Sequence, residues 1–326
     1  MKALFAAPSE GRIVVALKDI ARPCPKPDEI LVAVRAAGVN RFDVMAIEGY
    51  RDPRLPQDAP VPLGLECAGE VVEAGDSAGL WRAGDRVMGR CWGGFAEFAL
   101  MKANLAMPVP ARLSWEQAAT MHVLVVAYDA VVTNGGLRAG QSLLANAASS
   151  GIGVASMQIA TLLGAGPVIG TTSSPQKLAP VAAERLPGVN IVDSRQFAPK
   201  VLELTGGKGV DVVADSVGGT MLTETLQCMA LLGRLVSIGR MGATTAELDL
   251  DFLALRRLSL IGVTNRTRTA QEQAQIVAAF SRDILPALGD GRLQPLLDRT
   301  FPLAEASSAI NRLAANAQVG KVILSL

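Results

Sequence analysis

Residues 142–153 read Ser-Leu-Leu-Ala-Asn-Ala-Ala-Ser-Ser-Gly-Ile-Gly: an apolar strand, a run of small residues, then the start of a long apolar helical pattern. A strand that turns tightly into a helix aims the first helical N–H groups and the positive helix end at one point, which suits a pyrophosphate. Ser149, Ser150, Gly151, Ile152 and Gly153 stand at that point. Ala148, Ser150 and Gly153 fill the three slots of G-x-G-x-x-G, so only the last is glycine, and a merely close-packed turn reads the same way. A second informative run is Thr171-Thr172-Ser173-Ser174-Pro175-Gln176-Lys177. Sheets that bind NAD end their second strand with an acidic residue for the ribose 2′-OH. Here no carboxylate repels a 2′-phosphate and several hydroxyls can donate to one, so the expected cofactor is NADPH.

These residues need a scaffold, and the flanking pattern supplies it. Gly135, Gly136 and Gly140 punctuate the chain before the first strand, and Val154 to Leu163 forms a buried helical run that stops at Gly164. Val168–Thr172 then reads as a second buried strand, completing a strand-helix-strand unit. Further strands are expected at Val210–Ala214, ending in Asp215-Ser216-Val217-Gly218-Gly219, at Arg234–Ile238, ending at Gly239, and at Leu258–Val263. Strands alternating with helices predict a parallel, doubly wound α/β sheet. Before it, Ile30–Val34, Gly69–Glu73, Arg86–Gly89 and Ala96–Leu100 form short strands broken by Gly and Pro, an irregular β domain. Ser114-Trp115-Glu116-Gln117 is a helix start with Ser114 as N-cap. After it come a helix from Ala270, a strand near Asp298–Phe301, a helix from Ala304 to Asn316 and a closing strand Lys321–Leu324. The expected division is a β-rich domain over 1–118, the nucleotide-binding domain over 119–267, and a return to the first domain over 268–326.

Half of the 326 residues are hydrophobic and 19% are charged, enough for two compact domains. A formal net charge of +1, with Lys and Arg scattered, gives no basic patch for nucleic acid or an anionic membrane. Pro8, Ser9 and Glu10 interrupt the apolar opening, and no segment is long and apolar enough to span a bilayer. Cys24, Cys67, Cys91 and Cys228 are widely spaced, so free thiols and a cytoplasmic location are expected.

Several stretches fall together in a known order: Ala36-Ala37-Gly38-Val39-Asn40-Arg41-Phe42-Asp43, Leu63-Gly64-Leu65-Glu66-Cys67-Ala68-Gly69, Ala83-Gly84-Asp85-Arg86-Val87 and Gly93-Gly94-Phe95-Ala96-Glu97-Phe98, then the turn at 142–153, Asp215 to Gly219 and Gly233-Arg234. This pattern resembles the medium-chain dehydrogenase/reductase superfamily, in its zinc-free quinone oxidoreductase branch. The resemblance implies a Rossmann doubly wound sheet inserted in a GroES-like β-rich catalytic domain. Zinc-dependent members carry Cys where Asn40 stands and His-Glu where Leu65-Glu66 stands, and neither Asn nor Leu is a zinc ligand. No cysteine lies between Cys91 and Cys228, so the four-cysteine structural lobe is missing and no metal is expected. Glu66 is left a hydrogen-bonding role at the domain junction.

Without zinc there is no Lewis acid for an alkoxide, and the resemblance implies hydride transfer from NADPH to a quinone or an α,β-unsaturated carbonyl. It places Asn40 beside nicotinamide and substrate, where its amide can donate. Tyr50 is either the proton donor or a loop aromatic over the substrate, because the family's Tyr falls one residue later, where this chain has Arg51. Arg51 is a candidate for an acidic substrate group. His122, the one histidine, reads as a packed residue. The family's Thr at the nicotinamide is replaced by Val126, and its phosphate-binding lysine is matched by Lys177, otherwise a solvated helix residue. The Tyr that helps hold the phosphate is replaced by Ser194, with Arg195 beside it as a substitute. Further cofactor contacts are implied at Ser216, Val217, Gly239, Arg240, Met241, Thr264 and Asn265. The edge strand Ser259–Val263 is where the family pairs subunits, so a homodimer is expected. Two other readings stay open. One is an enoyl-thioester reductase, whose turn resembles Asn146-Ala147-Ala148-Ser149-Ser150; the other is a non-catalytic, crystallin-like NADPH-binding protein.

Overall fold

The computed structural model describes residues 1–9, 12–50 and 59–326. They form two compact units, Met1–His122 with Ser281–Leu326, and Val123–Phe280.

The second unit is built on six strands: Leu143–Ala145, Val168–Thr172, Val189–Asp193, Val210–Asp215, Met229–Ser237 and Ser259–Gly262. Across the sheet they run third, second, first, fourth, fifth, sixth, and every neighbouring pair is parallel. Parallel strands covered on both faces must be apolar throughout, which is why Leu144, Ile169, Val213, Met229 and Leu235 are buried with Phe197 and Leu226 from the covering segments. Chain order reverses between the first and fourth strands, and the crevice at such a switch point is where open α/β sheets bind ligands. The helix Gly151–Leu162 leaves the first strand at this place. The sequence expectation of an α/β doubly wound sheet is what the chain forms.

The helix Ala270–Asp283 stays with this unit up to Phe280, rather than starting the return at 268. Phe280 is fully buried, and its ring meets the edge of Tyr128 at 5.9 Å. That aromatic contact packs the end of the helix within the second unit.

The first unit holds a hairpin of Lys2–Ser9 and Arg12–Asp19, extended by Val61–Pro62. Its larger sheet runs Leu297–Pro302, Lys321–Ser325, Glu29–Gly38, Glu66–Ala74, Arg86–Arg90 and Ala106–Pro108, with Phe98–Lys102 also pairing Glu29–Gly38. Ile30, Val44, Leu63, Phe95, Met101, Ile310 and Leu324 share its core. Two registers matter for the site. Ile323 opposes Gly38, and Ala37 opposes Cys67. Continued along each antiparallel pair, they bring Lys321 beside Asn40 and Glu66 beside Gly38. A Cβ on Gly38 would lie 2.4 Å from Glu66 Oε1 and 2.5 Å from the Ala119 carbonyl, so only glycine lets the carboxylate pass.

Candidate active site

In the first unit, Glu66 is the meeting point of four segments. Its Oε1 accepts from Lys321 Nζ at 2.6 Å and from Asn40 Nδ2 at 2.9 Å, and its Oε2 accepts from the His122 backbone N–H at 2.9 Å. Lys321 Nζ also donates to the Val39 carbonyl at 2.8 Å and to Asn40 Oδ1 at 3.0 Å, so its three N–H groups are all used. The side chains of Glu66 and Lys321 are 1% and 6% exposed. Charges this deep are stable only as a pair with every remaining donor and acceptor satisfied. Asn40 Nδ2 makes its second bond to the Gly38 carbonyl at 3.0 Å. Both amide hydrogens therefore point inward, and the free donor expected at Asn40 is not presented in this arrangement.

Asn40 is held from below as well. It is the extended N-cap of the helix Arg41–Ile47, and its backbone N–H donates to Asp43 Oδ2 at 2.8 Å. Asp43 Oδ1 accepts from Gly64 N at 2.8 Å. Burial pushes the Asp43 carboxyl up to about 6, opposed by those two N–H bonds. Burial also lowers His122 to about 4, against the pull of Glu66, so its imidazole is neutral at physiological pH. The donor set here is a carboxamide, a leucine and a carboxylate already carrying an ammonium, which does not suit zinc. Among the described residues no group of three or more His, Cys, Asp or Glu could hold a metal. Tyr50 follows the same helix, its N–H bonded to the Met45 carbonyl at 2.8 Å and its ring at the edge of Phe42 at 6.4 Å. Arg51 lies outside the described residues.

In the second unit the phosphate-type turn takes an unforeseen route. The left-handed residue is Ala147, at φ 58°, rather than any slot of the G-x-G-x-x-G pattern. Ser150 caps the helix, its Oγ accepting from Gly153 N at 3.0 Å. Ser150 Oγ thus accepts from the helix and keeps its O–H as a donor, while the Gly151 and Ile152 N–H groups have no partner within the helix. A Cβ on Gly153 would lie 2.4 Å from the Ala147 carbonyl, so glycine is required for the helix to seat on the turn. Ser216 Oγ is buried with no hydrogen-bond partner at the end of the fourth strand. An orphaned hydroxyl after the fourth strand, which pairs with the strand that leads into the open helix N–H groups, fits a dinucleotide.

The other expected contacts are distributed around this crevice in different ways. Thr171 Oγ1 is buried and donates to Asn146 Oδ1 at 2.8 Å, which ties two strands together. Thr172 Oγ1 accepts from Ser174 N at 3.2 Å, Ser173 is exposed, and Lys177 is half-buried in the first turn of the helix Pro175–Arg185. Val217 N donates to Asp215 Oδ1 at 3.0 Å, and Gly239 N to the Asp215 carbonyl at 3.2 Å. Arg240, Met241 and Thr264 are exposed, Asn265 and Val126 half-buried. Thr264 Oγ1 accepts from Arg266 N at 3.2 Å. Arg195 does not reach out as a substitute phosphate ligand, because its guanidinium binds Asp193 and holds that carboxyl down to about 2.

Sequence reasoning passed over Lys321, Asp43 and the Asn146–Asp215–Thr225 network, in which Asn146 Nδ2 donates to Asp215 Oδ1 at 3.1 Å and Thr225 Oγ1 at 3.2 Å. The signals existed: one charge in the apolar strand Lys321-Val322-Ile323-Leu324, and polar residues closing two apolar strands.

Replacing Lys321 with Met takes the ammonium partner away from the buried Glu66 carboxyl, and should cost about 3–5 kcal/mol of stability in urea unfolding. Adding Glu66→Gln should recover most of that loss; no recovery would contradict the pairing. The pH dependence carries a second expectation. With His122 at about 4 in the fold against an ordinary 6.5, its contribution is present above pH 6.5 and lost as pH falls toward 4. Asp43, at about 6 against 3.8, works oppositely and gains as pH falls. Parent stability should therefore change little from His122 and Asp43 taken together. His122→Gln should gain on the parent by about 2 kcal/mol between about pH 7 and pH 4.5. A pH-independent difference in unfolding midpoints would contradict this.

Known proteins match both units. Residues 26–111 match the alcohol dehydrogenase GroES-like domain family, and residues 151–282 match the zinc-binding dehydrogenase family. Human quinone oxidoreductase is 29% identical over 94% of this chain and 92% of its own length. A phenolphthiocerol/phthiocerol polyketide synthase of Mycobacterium tuberculosis is 30% identical over 94% of this chain, which spans only 14% of that protein. An alcohol dehydrogenase superfamily protein from Novosphingobium aromaticivorans has the same fold, with a TM-score of 0.84 at 30% identity over 100% of this chain and 99% of its own. Mycobacterial Rv1454c, solved in complex with NADPH, gives a TM-score of 0.85 at 28% identity over 100% of both chains. The two family models fall in order along the chain, the fold of an alcohol dehydrogenase superfamily protein is shared over its whole length, and the chain belongs to the medium-chain dehydrogenase/reductase superfamily of oxidoreductases.

Proposed function

We propose that this chain is a metal-independent, NADPH-dependent reductase that delivers a hydride to a quinone or to the β-carbon of an α,β-unsaturated carbonyl. One observation carries the reading: the Glu66 carboxylate, beside the position where zinc relatives hold a metal, has its charge taken up by Lys321 at 2.6 Å. With no Lewis acid, the acceptor must carry the developing negative charge on its own conjugated oxygen, as quinones and enones do and simple ketones do not. The preference for NADPH rests on the carboxylate-free run Thr171 to Lys177 and on the NADPH complex of a relative.

Bound NADPH supplies the hydride. The chain's part is to bind it and manage the proton. The Gly151 and Ile152 N–H groups and Ser216 Oγ would hold phosphates and ribose, and Thr172, Ser173 and Lys177 would receive the 2′-phosphate. Asn40, locked by Glu66 and Lys321, shapes the wall on which the acceptor rests. The Tyr50 hydroxyl gives the proton to the reduced acceptor. The edge strand Ser259–Gly262, with Leu260 40% exposed, pairs two subunits into a homodimer in the cytoplasm. A second reading, enoyl-thioester reduction, is favoured by the polyketide synthase match and by the turn Asn146 to Ser150.

Purified protein should oxidise NADPH with quinones and enones, and faster than with enoyl thioesters. NADH should be used at least about tenfold less well by kcat/KM. Faster turnover of the thioesters would favour the second reading, and equal use of NADH would remove the argument from Lys177. Tyr50→Phe should lower kcat about a hundredfold with little change in KM for NADPH, and unchanged kcat would eliminate the donor.

A further inference from the structure

The chain is poor in aromatic residues, with 3 Trp, 2 Tyr and 8 Phe in 326 positions. Three of these rings nonetheless gather at one place in the first unit. Phe42 lies 5.5 Å from Trp92 at a tilt of 53°, and 6.4 Å from Tyr50 edge-on. Trp92 is 41% exposed, and every other aromatic ring among the described residues is buried or half-buried.

The location ties this cluster to the candidate site. Phe42 is in the first turn of the helix capped by Asn40. Trp92 follows Cys91, whose N–H donates to the Leu65 carbonyl at 3.0 Å, so its strand runs beside Leu65-Glu66. The aromatic face therefore flanks the Asn40–Glu66–Lys321 cluster along two of its segments. An indole 41% exposed, with a phenyl ring tilted against it, offers its free π-surface to a third flat ring. A flexible acyl chain has no π-face and gains nothing specific from this geometry.

We propose that Phe42, Tyr50 and Trp92 form a recognition face for flat aromatic acceptors, with Trp92 as the specificity-determining residue. This rests on the reductase reading and deepens it. It selects fused-ring quinones over aliphatic enones and acyl thioesters.

Two measurements test it, one with turnover and one without. The first is the ratio of kcat/KM for 2,3-dimethyl-1,4-naphthoquinone to that for hex-4-en-3-one, with NADPH saturating. Trp92→Ala should lower this ratio about three- to tenfold, through KM for the naphthoquinone, and Trp92→Phe should keep most of it. The second is saturation-transfer NMR of naphthalene-2-carboxamide, a flat ring system that is not reduced, in the absence of NADPH. Its binding to the full-length parent should weaken by the same factor in Trp92→Ala. An unchanged ratio, unchanged binding, equal losses in the Ala and Phe variants, or no binding to the parent would overturn the proposal. If the parent reduces neither acceptor but carboxamide binding still depends on Trp92, the reductase reading fails and the aromatic face stands. If the quinone is reduced with a ratio indifferent to Trp92, the face fails and the reductase reading stands.

Discussion

The buried ion pair of Lys321 and Glu66 is the constraint on which the first unit depends. Two charges at 6% and 1% exposure persist only when each finds the other and every leftover hydrogen-bonding atom is used. Satisfying them requires four segments at once: the strand end at Gly38, the helix cap at Asn40, the helix start at His122, and the final strand at Lys321. That is a physical reason for the chain to leave the first unit after His122 and return at Ser281, since the partner of Glu66 is more than two hundred residues away. Asn40 is fixed at a single orientation as a by-product, because both ends of its carboxamide belong to the pair.

The second unit solves a different problem by the same means. A parallel sheet leaves its strands' carboxyl ends to be closed by loops, and here three of those ends are stitched together by Asn146, Thr171 and Asp215. The stitching holds the switch point open in a fixed shape. The turn above it is shaped by Ala147 in a left-handed conformation and by Gly153 packed against its carbonyl, and the Ser216 hydroxyl is left without a hydrogen-bond partner. Rigid support beneath a few unsatisfied donors is what distinguishes a binding crevice from an ordinary strand-turn-helix.

Much of the scaffold was legible in the sequence because it is governed by short-range pattern. The strand Val168–Thr172 and the cap at Ser114 follow from apolar runs and from a side chain bonding three residues ahead. Arg195 was harder, for a local reason: its guanidinium found an intramolecular partner in Asp193, while Ser150 took the added role of helix cap through Gly153 N. Lys321 was illegible for a long-range reason. A lone lysine at the start of an apolar strand has no meaning until the register Ile323 to Gly38 lays it beside Glu66. The packing of Phe280 at the end of the helix Ala270–Asp283 against Tyr128 was likewise illegible, because it is a contact between residues far apart in the chain.

We propose that the Lys321 ammonium, which lies against the Glu66 carboxylate, does at the candidate site what a metal ion would otherwise do. The most direct test is turnover after exhaustive chelation, with the zinc content of the same sample measured by mass spectrometry. The expected result is substoichiometric zinc and an NADPH-dependent quinone reduction rate equal to that before chelation. Loss of turnover on chelation, with recovery on adding stoichiometric zinc, would contradict it.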